Sequence, residues 1–370
     1  MWIRLVVVTI LAGLLFQAKP DWFPPRDYLE YYSAAKVFAS GGDPYDGAQL
    51  LPVQQHILGN ADLDKPVSLW TPPYTLALYL PFGLLPYSTA HFVWLLLQTL
   101  CLATSVELLA RSYDWHRSLW LAQLIGFAFS PFFWNLHFGQ NTAFILLGLA
   151  GFVRFRPTRP VLAGCFAALT AIKPHLLAVF GVLLIWDAWN RDGRRALLGG
   201  LLLVLAGSVI AVAMQPLIFQ WFLEALRRPT TADTVRLADW DVPLLSYQFR
   251  RAVDPNRFWL QFLPLGITCI SVIVWFSKRR IDWRNALPWI VLLSCLVAPY
   301  GGWIFDLTVL VLPVLALLCI PRDPRATLLA LALISWFGFR IVGLAEPIWF
   351  TPAVAVVLGY RWYQLRSQTS

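Results

Sequence analysis

Residues 87–110 read Y-S-T-A-H-F-V-W-L-L-L-Q-T-L-C-L-A-T-S-V-E-L-L-A, and the basic corner 111–117 follows directly. This run is long and apolar enough for a helix that crosses a bilayer, which needs about 20 such residues. Further apolar runs, separated by short polar corners, recur along the chain. The pattern predicts a protein that crosses a membrane several times.

The composition indicates the same class. Of the 370 residues, 58% are hydrophobic and 13% are charged, whereas about 25% of a soluble domain is charged. The 19 Trp and 26 Pro fit a membrane protein, because Trp gathers at bilayer interfaces and Pro is tolerated in packed spanning helices. We therefore predict an all-α integral membrane protein.

Basic residues are concentrated in short corners between the apolar runs. The net charge of +9 therefore indicates topology and not nucleic-acid binding, since the positive-inside rule places such corners in the cytoplasm. Both termini are then cytoplasmic, in a multi-pass protein of the cell membrane. The corners are Arg4, 111–117, 154–159, 191–195, 278–284, 322–325 and the C-terminal tail.

The apolar runs pair as outgoing and returning helices in a single polytopic domain covering residues 1–370. They suggest about twelve crossings, within a range of about 10 to 13, although several runs are shorter than the roughly 20 residues of a straight span. The run 5–18 has signal-peptide proportions but lacks a convincing cleavage site, and we interpret it as an uncleaved first helix. The predicted spans are 5–18, 87–110, 118–136, 141–153, 160–172, 175–189, 196–214, 258–277, 285–299, 306–320, 326–345 and 347–360.

The run 69–86 fits this topology only if it does not cross separately, since a separate crossing would invert the basic corners. It is predicted to be a re-entrant or interfacial helix, or the bent beginning of the next span. The predicted outer side has the long loops 19–86 and 215–257, and acids dominate there. Long loops in a compact protein are usually functional, so we predict the chemistry at the extracytoplasmic face.

The loop 19–86 contains R-D-Y-L-E-Y-Y-S-A-A-K-V-F-A-S-G-G-D-P-Y-D at residues 26–46. It predicts an amphipathic helix over 28–39, stopped by the turn that begins at Gly41. Such a juxtamembrane helix would lie on the membrane with its Tyr and Phe side chains in the headgroup layer. Asp27 would stand at its N-terminus, either as a catalytic carboxylate or as an ordinary N-cap.

Several motifs in this order carry a family resemblance. They are D-Y-x-x-Y-Y-x-A-A from Asp27, G-G-D-P-Y-D from Gly41, W-T-P-P-Y-x-L-x-x-x-x-P-x-x-L-L-P from Trp70, G-Q-N from Gly139 and K-P-H from Lys173. The chain resembles glycosyltransferase family 87, the polyprenyl-phosphate-mannose-dependent mannosyltransferases of the GT-C superfamily. The resemblance implies a GT-C type helical bundle with extracytoplasmic juxtamembrane helices. In that family the catalytic base looks to be an acid in the first extracytoplasmic loop, and Asp27 occupies the matching position.

Transfer from a polyprenyl-phosphate sugar to a lipid or glycan acceptor needs a base for the acceptor hydroxyl and a positive group for the departing phosphate. A single displacement inverts the anomeric centre. The candidates for the phosphate are Lys173 with His175, and Arg340. Lys173 is alternatively a snorkelling surface lysine, and Arg340 is alternatively a structural partner of Glu346.

Five residues are candidates for substrate contacts, and the side-chain amides among them are suited to sugar hydroxyls. Two have structural alternatives, an Asx-type turn before Pro44 for Asp43 and helix capping for Asn141. A role for Asp306 in acceptor binding is an alternative to its capping the next span. The five are Tyr31, Asp43, His137, Gln140 and Asn141.

No metal, disulfide framework or cofactor is predicted. The five cysteines lie in apolar runs without CxxC spacing, and the histidines lack the spacing of a metal site. The expected partners are the lipid-linked donor, the acceptor and the bilayer. A polytopic transporter or a flippase for lipid-linked sugars is the alternative, because such proteins also place polar groups among broken helices; no internal repeat supports it.

Overall fold

The computed structural model describes residues 27–59, 63–228, 240–319, 324–341 and 347–366. Every regular element within these ranges is helical, and they contain no strand. The α-helices are α1 (Tyr28–Ala39), α2 (Gly47–Ile57), α3 (Leu76–Gly83), α4 (Tyr87–Ser112), α5 (Leu119–Ala128), α6 (Ser130–Phe138), α7 (Thr142–Phe155), α8 (Pro160–Ala168), α9 (Ala178–Asp187), α10 (Arg191–Met214), α11 (Ile218–Arg227), α12 (Leu245–Val253), α13 (Leu263–Phe276), α14 (Trp283–Val297), α15 (Val311–Leu318), α16 (Arg325–Ile341) and α17 (Phe350–Arg366).

The helices confirm the prediction of an all-α membrane protein. Among the described residues, α4, α10 and the segment Phe258–Phe276 are long and apolar enough to cross a membrane. The pair α5 and α6, bent by 58°, becomes a fourth candidate if it forms one broken span. The count of about twelve crossings and the GT-C arrangement stay predictions, and the first predicted span, 5–18, lies outside the described residues.

Several predicted spans are real helical segments that are too short for a straight crossing. The apolar segments of 10 to 17 residues include Pro160–Ile172 and Ile304–Leu318. Each of these two joins a 3-10 segment to an α-helix, Leu169–Ile172 after α8 and Ile304–Leu310 before α15. Hydrophobic periodicity located these helices, but it does not show where hydrogen bonding changes from one helix type to another.

The run 69–86 folds as the 3-10 segment Pro73–Thr75 followed by α3. With eight residues, α3 is only about 12 Å long at 1.5 Å per residue, too short to cross a bilayer. It lies against α1 so closely that a Cβ on Gly83 would be 2.5 Å from the backbone carbon of Ala35. How this run lies relative to the membrane stays a prediction.

The chain divides into two compact units. The first contains residues 1–100, 136–141 and 202–240, and the second contains residues 101–135, 142–201 and 241–370. Within the first unit, the two predicted long loops meet. Gln215 donates a hydrogen bond from Nε2 to the backbone oxygen of Gly41, and the rings of Trp70 and Trp240 lie 5.2 Å apart, edge to face.

In the second unit, predicted cytoplasmic corners gather together. Arg156 lies 2.6 Å from Asp187 Oδ2, and the same carboxylate accepts a hydrogen bond from Trp283 Nε1 at 2.9 Å. Arg284 forms an ion pair with Asp114. These contacts join the corner after α4, the corner between α7 and α8, the end of α9 and the start of α14.

The predicted outward corners of the second unit also meet one another. Lys173 pairs with Asp306, and the ring of His175 stacks on Tyr300. Helices between the two sets of corners therefore alternate in direction, as a multi-span topology requires. The side of the membrane that each set faces stays a prediction.

The expected surface position of α1 is wrong. Its bounds are as predicted, Tyr28–Ala39, but ten of its twelve residues are buried. The exposed fractions of Tyr28, Tyr31 and Phe38 are 0%, 1% and 0%, so these rings are packed inside the protein and do not lie in a headgroup layer. Tyr28, for example, stacks on His91 of α4 with ring centroids 4.9 Å apart. Aromatic residues spaced along a helix face suit an interface and a core equally well, and the sequence did not distinguish the two.

Candidate functional site

Asp27 precedes the first turn of α1, in the first unit. Its side chain makes no capping hydrogen bond to the helix. Instead, Oδ2 accepts a hydrogen bond of 2.7 Å from Nε2 of Gln140. Asp27 therefore occupies the N-cap position of α1 without a capping hydrogen bond from its side chain, and its carboxylate instead contacts a residue far along the chain.

Gln140 connects Asp27 to Tyr31, which lies one turn further along α1. Its Oε1 accepts a hydrogen bond of 2.8 Å from the Tyr31 hydroxyl, while its amide nitrogen donates to Asp27. Gln140 is buried, with 5% of its surface exposed. Because both ends of the amide are used, its orientation is fixed by the network, and the carboxylate receives a donor of defined position.

A tight turn places Gln140 against α1. The preceding Gly139 has φ of +69°, a left-handed conformation that glycine adopts without strain. A Cβ on Gly139 would lie 2.5 Å from Tyr28 Cβ, so only glycine permits this approach. The Gly139 carbonyl accepts a hydrogen bond of 2.8 Å from Trp94 Nε1. The motif G-Q-N is thus fixed on the N-terminal turn of α1.

Asn141 continues this cluster. Its Nδ2 donates a hydrogen bond of 3.0 Å to the hydroxyl of Tyr79, and Asn141 is fully buried. The capping alternative predicted for Asn141 is not present, because its Oδ1 has no hydrogen-bond partner within the described part of the chain. The backbone N–H of Thr142 donates to Asn135 Oδ1 instead, at 3.0 Å.

Glu30 is an acid of this cluster that sequence reasoning passed over. It lies three residues after Asp27, on the same side of α1, and only 9% of its surface is exposed. Its Oε1 accepts a hydrogen bond of 3.3 Å from the backbone N–H of Trp70. The local sequence contains no signal for this burial, because the aromatic pattern around Glu30 suits an interface and a core equally well.

Asp43 adopts the turn that was its structural alternative. Its Oδ1 accepts a hydrogen bond of 2.8 Å from the backbone N–H of Tyr45, an Asx turn, and Arg228 lies 4.0 Å from Oδ2. Burial raises the pKa of Asp43, and the hydrogen bond from Tyr45 opposes this shift. The turn accounts for the conformation of Asp43, and a substrate contact stays a prediction.

The second unit holds an ionic cluster. Lys173 Nζ lies 2.6 Å from Asp306 Oδ1, with side-chain exposures of 11% and 1%. Asp306 also accepts hydrogen bonds of 3.2 Å from Thr142 Oγ1 and from the backbone N–H of Trp303. The ammonium further lies 5.1 Å from the ring centre of Phe305. Lys173 is therefore a buried, paired cation, and the snorkelling alternative does not describe it.

His175 stacks on Tyr300 in the turn between the segment 160–172 and α9, with ring centroids 4.2 Å apart. A Cβ on Gly301 would lie 2.7 Å from His175 Nε2, and Gly301 has φ of +73°. The glycine therefore brings the backbone close to the imidazole. Burial lowers the pKa of His175 to about 4, and the charge of Lys173 acts in the same direction while that of Asp306 opposes it.

His137 and Arg340 are the remaining two predicted site residues. His137 lies in the last turn of α6, with its ring centroid 5.2 Å from that of Phe138. Arg340 lies in the last turn of α16 and is exposed; its possible partner Glu346 lies outside the described residues. Their proposed roles stay predictions.

The described residues contain no group of three or more His, Cys, Asp or Glu side chains suited to a metal ion. Their clusters supply carboxylates, amides, phenols and one buried ammonium, which suit proton transfer and the binding of hydroxyl-rich or anionic ligands.

Comparison with protein families gives one match. The model of glycosyltransferase family 87 matches residues 70–299, more than half of the chain. The match includes Gln140, Asn141 and Lys173, and it begins after Asp27. No curated protein and no solved structure matches the chain.

Proposed function

The chain belongs to glycosyltransferase family 87, and from this membership we propose that it transfers mannose from a polyprenyl-phosphate donor to a lipid or glycan acceptor. The membrane helices fit a donor that is itself a membrane lipid. We propose further that transfer takes place at the extracytoplasmic face of the cell membrane and that Asp27 is the general base. A transporter or flippase is not needed to explain the family match.

The observation that carries the proposal is the hydrogen bond from Gln140 to Asp27. A general base must be held in one position, because proton transfer requires hydrogen-bond distance to the acceptor hydroxyl. The carboxylate of Asp27 makes no capping hydrogen bond to the N-terminus of α1. The donor from Gln140 gives the carboxylate a defined position from which a base can take the proton of the acceptor hydroxyl.

The reaction balances as a single displacement. The acceptor hydroxyl oxygen attacks the anomeric carbon, Asp27 takes the hydroxyl proton, and the bond between the anomeric carbon and the phosphate oxygen breaks. The polyprenyl phosphate leaves with the electron pair of that bond. Attack opposite the leaving group inverts the anomeric centre, by analogy with single-displacement glycoside hydrolysis.

The departing phosphate gains negative charge and needs positive groups or hydrogen-bond donors. Lys173 is our first candidate, because its ammonium is a buried positive charge, held 2.6 Å from Asp306, and an ammonium donates hydrogen bonds to anions. His175 and Arg340 are further candidates for the phosphate. Tyr31, Asp43, His137, Gln140 and Asn141 are proposed to contact substrate.

The test is a transfer assay with the purified full-length protein, labelled polyprenyl-phosphate mannose and a lipid extract as acceptor source. Asp27→Asn keeps the shape of the side chain and removes the base, and we expect a loss of about 100-fold or more in kcat, the range for general base catalysis. Asp46→Asn is the control, because Asp46 caps α2 by accepting from Ala48 N–H and asparagine caps a helix equally well.

The outcomes separate the parts of the proposal. Full activity of a folded Asp27→Asn protein would remove Asp27 from the mechanism while leaving the transferase intact. Transfer from other polyprenyl-phosphate sugars but not from the mannose donor would correct the sugar. Retention of the anomeric configuration in the product would exclude the single displacement.

A further inference from the structure

A cleft with a volume of about 1130 Å³ opens in the second unit. It lies among the end of α4, the C-terminal part of α13, the N-terminal part of α14 and the end of α15, and Trp362 of α17 also lines it. None of the residues considered for the transfer reaction contributes to its wall. The volume exceeds the upper range of ordinary small-molecule pockets, about 1000 Å³.

The rim of the cleft is basic. Arg279, Arg280 and Arg284 all line it. Arg284 is paired with Asp114, whereas Arg280 has no ion pair within the described residues. Arg279 lies 4.6 Å above the ring of Trp275, an arrangement that holds a guanidinium in place and leaves its N–H groups available for an anion.

The acids at the rim are already engaged. Asp114 pairs with Arg284. Asp282 caps α14, accepting from the backbone N–H of Asn285 at 3.4 Å and from its side-chain Nδ2 at 2.6 Å. Three guanidinium groups therefore face the two carboxylates of Asp114 and Asp282, and the net charge of +1 at the rim is complementary to an anion.

The wall below the rim is apolar. Along α14 the lining runs from Arg284 to Leu293, which is about 14 Å at 1.5 Å per residue. Val272 of α13 and Ala316 of α15 also line the cleft. A positive rim above an apolar interior matches an amphiphile with an anionic head and a hydrocarbon tail.

The cleft lies at the opposite end of a helical segment from the Lys173 cluster. Asp306, the partner of Lys173, stands near the start of the segment Ile304–Leu318. Ala316 and Leu317 stand near its end and line the cleft. Ten residues separate Asp306 from Ala316, a rise of at least about 15 Å. The cleft therefore belongs to the basic-corner side of the helices and not to the cluster proposed for catalysis.

We propose that this cleft binds an anionic phospholipid of the bilayer, with the phosphate at Arg279 and Arg280 and part of an acyl chain between α13, α14 and α15. Basic pockets between membrane helices on the positively charged side commonly take such headgroups. The site goes beyond the transfer reaction, and it does not depend on which sugar or acceptor the protein uses.

The test is native mass spectrometry of the full-length, delipidated protein titrated with phosphatidylglycerol or phosphatidylcholine. We expect phosphatidylglycerol to bind at least about 10-fold more tightly, and the Arg279→Gln, Arg280→Gln double variant to remove this preference, a change equivalent to about 1.4 kcal/mol. The matched control is Arg154→Gln, Arg159→Gln, which removes two exposed arginines from another basic corner.

A second variant tests the apolar half of the site. Val272→Trp fills the cleft and retains all its arginines, and we expect it to weaken binding of long-chain phosphatidylglycerol about 10-fold or more. A phosphatidylglycerol with a photoreactive acyl chain should label peptides of α13, α14 or α15 in the wild type. In a parallel titration, inorganic phosphate is added as a competitor. At a concentration equal to that of the lipid, it should not displace phosphatidylglycerol.

Four results would overturn the proposal. These are equal binding of the two lipids, equal losses in the control and the cleft double variant, labelling confined to other helices, or competition by inorganic phosphate as strong as that by the lipid. A transfer assay on the same variants separates this site from the transfer reaction. We expect the cleft variants to retain chemistry with a detergent-soluble donor, whatever the result for Asp27.

Discussion

Gln140 Nε2 lies 2.7 Å from Asp27 Oδ2, although 113 residues separate the two along the chain. The contact joins the motif that begins at Asp27 to the motif G-Q-N, and the Tyr31 hydroxyl completes a chain of two hydrogen bonds through the same amide. In the proposed mechanism this makes Gln140 a residue that positions the base.

Replacing Gln140 with leucine should therefore impair transfer more than binding. A hydrogen bond to a charged group contributes about 1.5–3 kcal/mol, and we expect Gln140→Leu to lower kcat about 10- to 100-fold with a smaller change in KM. Tyr31→Phe removes only the bond to Gln140 Oε1 and should lower kcat less. The measurement is steady-state transfer in the lipid-linked mannose assay.

The matched control for this prediction is Gln220→Leu. Gln220 also donates from Nε2 to a carboxylate, that of Glu224, at 2.8 Å, but on the exposed side of α11. It should change kcat little. If Gln140→Leu and Gln220→Leu gave the same kcat in folded protein, the positioning role of Gln140 would be wrong.

The turn at Gly139 predicts a stability difference between two glycine positions. Gly139 and Gly59 have nearly equal φ values, +69° and +70°, but a Cβ on Gly139 meets Tyr28 at 2.5 Å while a Cβ on Gly59 meets nothing within 4 Å. Gly59→Ala should cost about 1–2 kcal/mol for the left-handed backbone alone. Gly139→Ala should cost more and should also displace Gln140 from Asp27.

Thermal unfolding in detergent, combined with the transfer assay, checks the glycine prediction. Loss of activity in Gly139→Ala together with a larger drop in Tm than in Gly59→Ala is the expected pattern. Equal drops in Tm for the two variants would show that the close approach to Tyr28 contributes nothing.

Much of the helical framework was predictable from the sequence. The run 87–110 became α4 (Tyr87–Ser112), and the run 160–172 became the helical segment Pro160–Ile172 with the same bounds. Both follow from long apolar runs bounded by polar corners. The family was also predictable, because its motifs are local and the family model confirms it.

The contacts that define the clusters were less predictable. Lys173 and Asp306 are 133 residues apart, and nothing in their local sequences indicates that the two corners meet. The burial of α1 was missed for a different reason, since Tyr28 and Tyr31 suit an interface and an interior equally well. A partner across the fold is decided by tertiary packing, which periodicity does not reveal.

Because Lys173 and Asp306 form a buried pair, we expect replacements of the two residues to have strongly coupled effects on the free energy of unfolding. Removing one partner leaves an uncompensated charge, and we expect Lys173→Met or Asp306→Asn each to destabilise the protein by about 3–5 kcal/mol. The double variant should be destabilised by clearly less than the sum of the two. Equilibrium unfolding of the four proteins in mixed micelles measures the coupling.

An exposed pair provides the comparison for this cycle. Arg195 and Asp192 lie 3.5 Å apart with side-chain exposures of 47% and 61%. Exposed pairs contribute little, so Asp192→Asn should change stability by less than about 1 kcal/mol. Additive effects of Lys173→Met and Asp306→Asn would contradict the buried pairing.

The lowered pKa of His175 predicts that stability falls in mild acid. Burial lowers the folded-state pKa to about 4, whereas an unfolded histidine titrates near about 6.5. Between these two pH values the unfolded state binds more protons than the folded state. The free energy of unfolding therefore decreases as the pH drops from about 6.5 towards 4. Asp306 favours the charged imidazole and Lys173 opposes it, without reversing the direction of the shift.

We expect Tm to decrease over this window in the wild type and to decrease less in His175→Phe, which retains a ring to stack on Tyr300. His56→Phe, a change at an exposed histidine of α2, is the control for removing one imidazole. The same acid dependence of Tm in His175→Phe and the wild type would show that the pKa of His175 is not lowered in the folded protein.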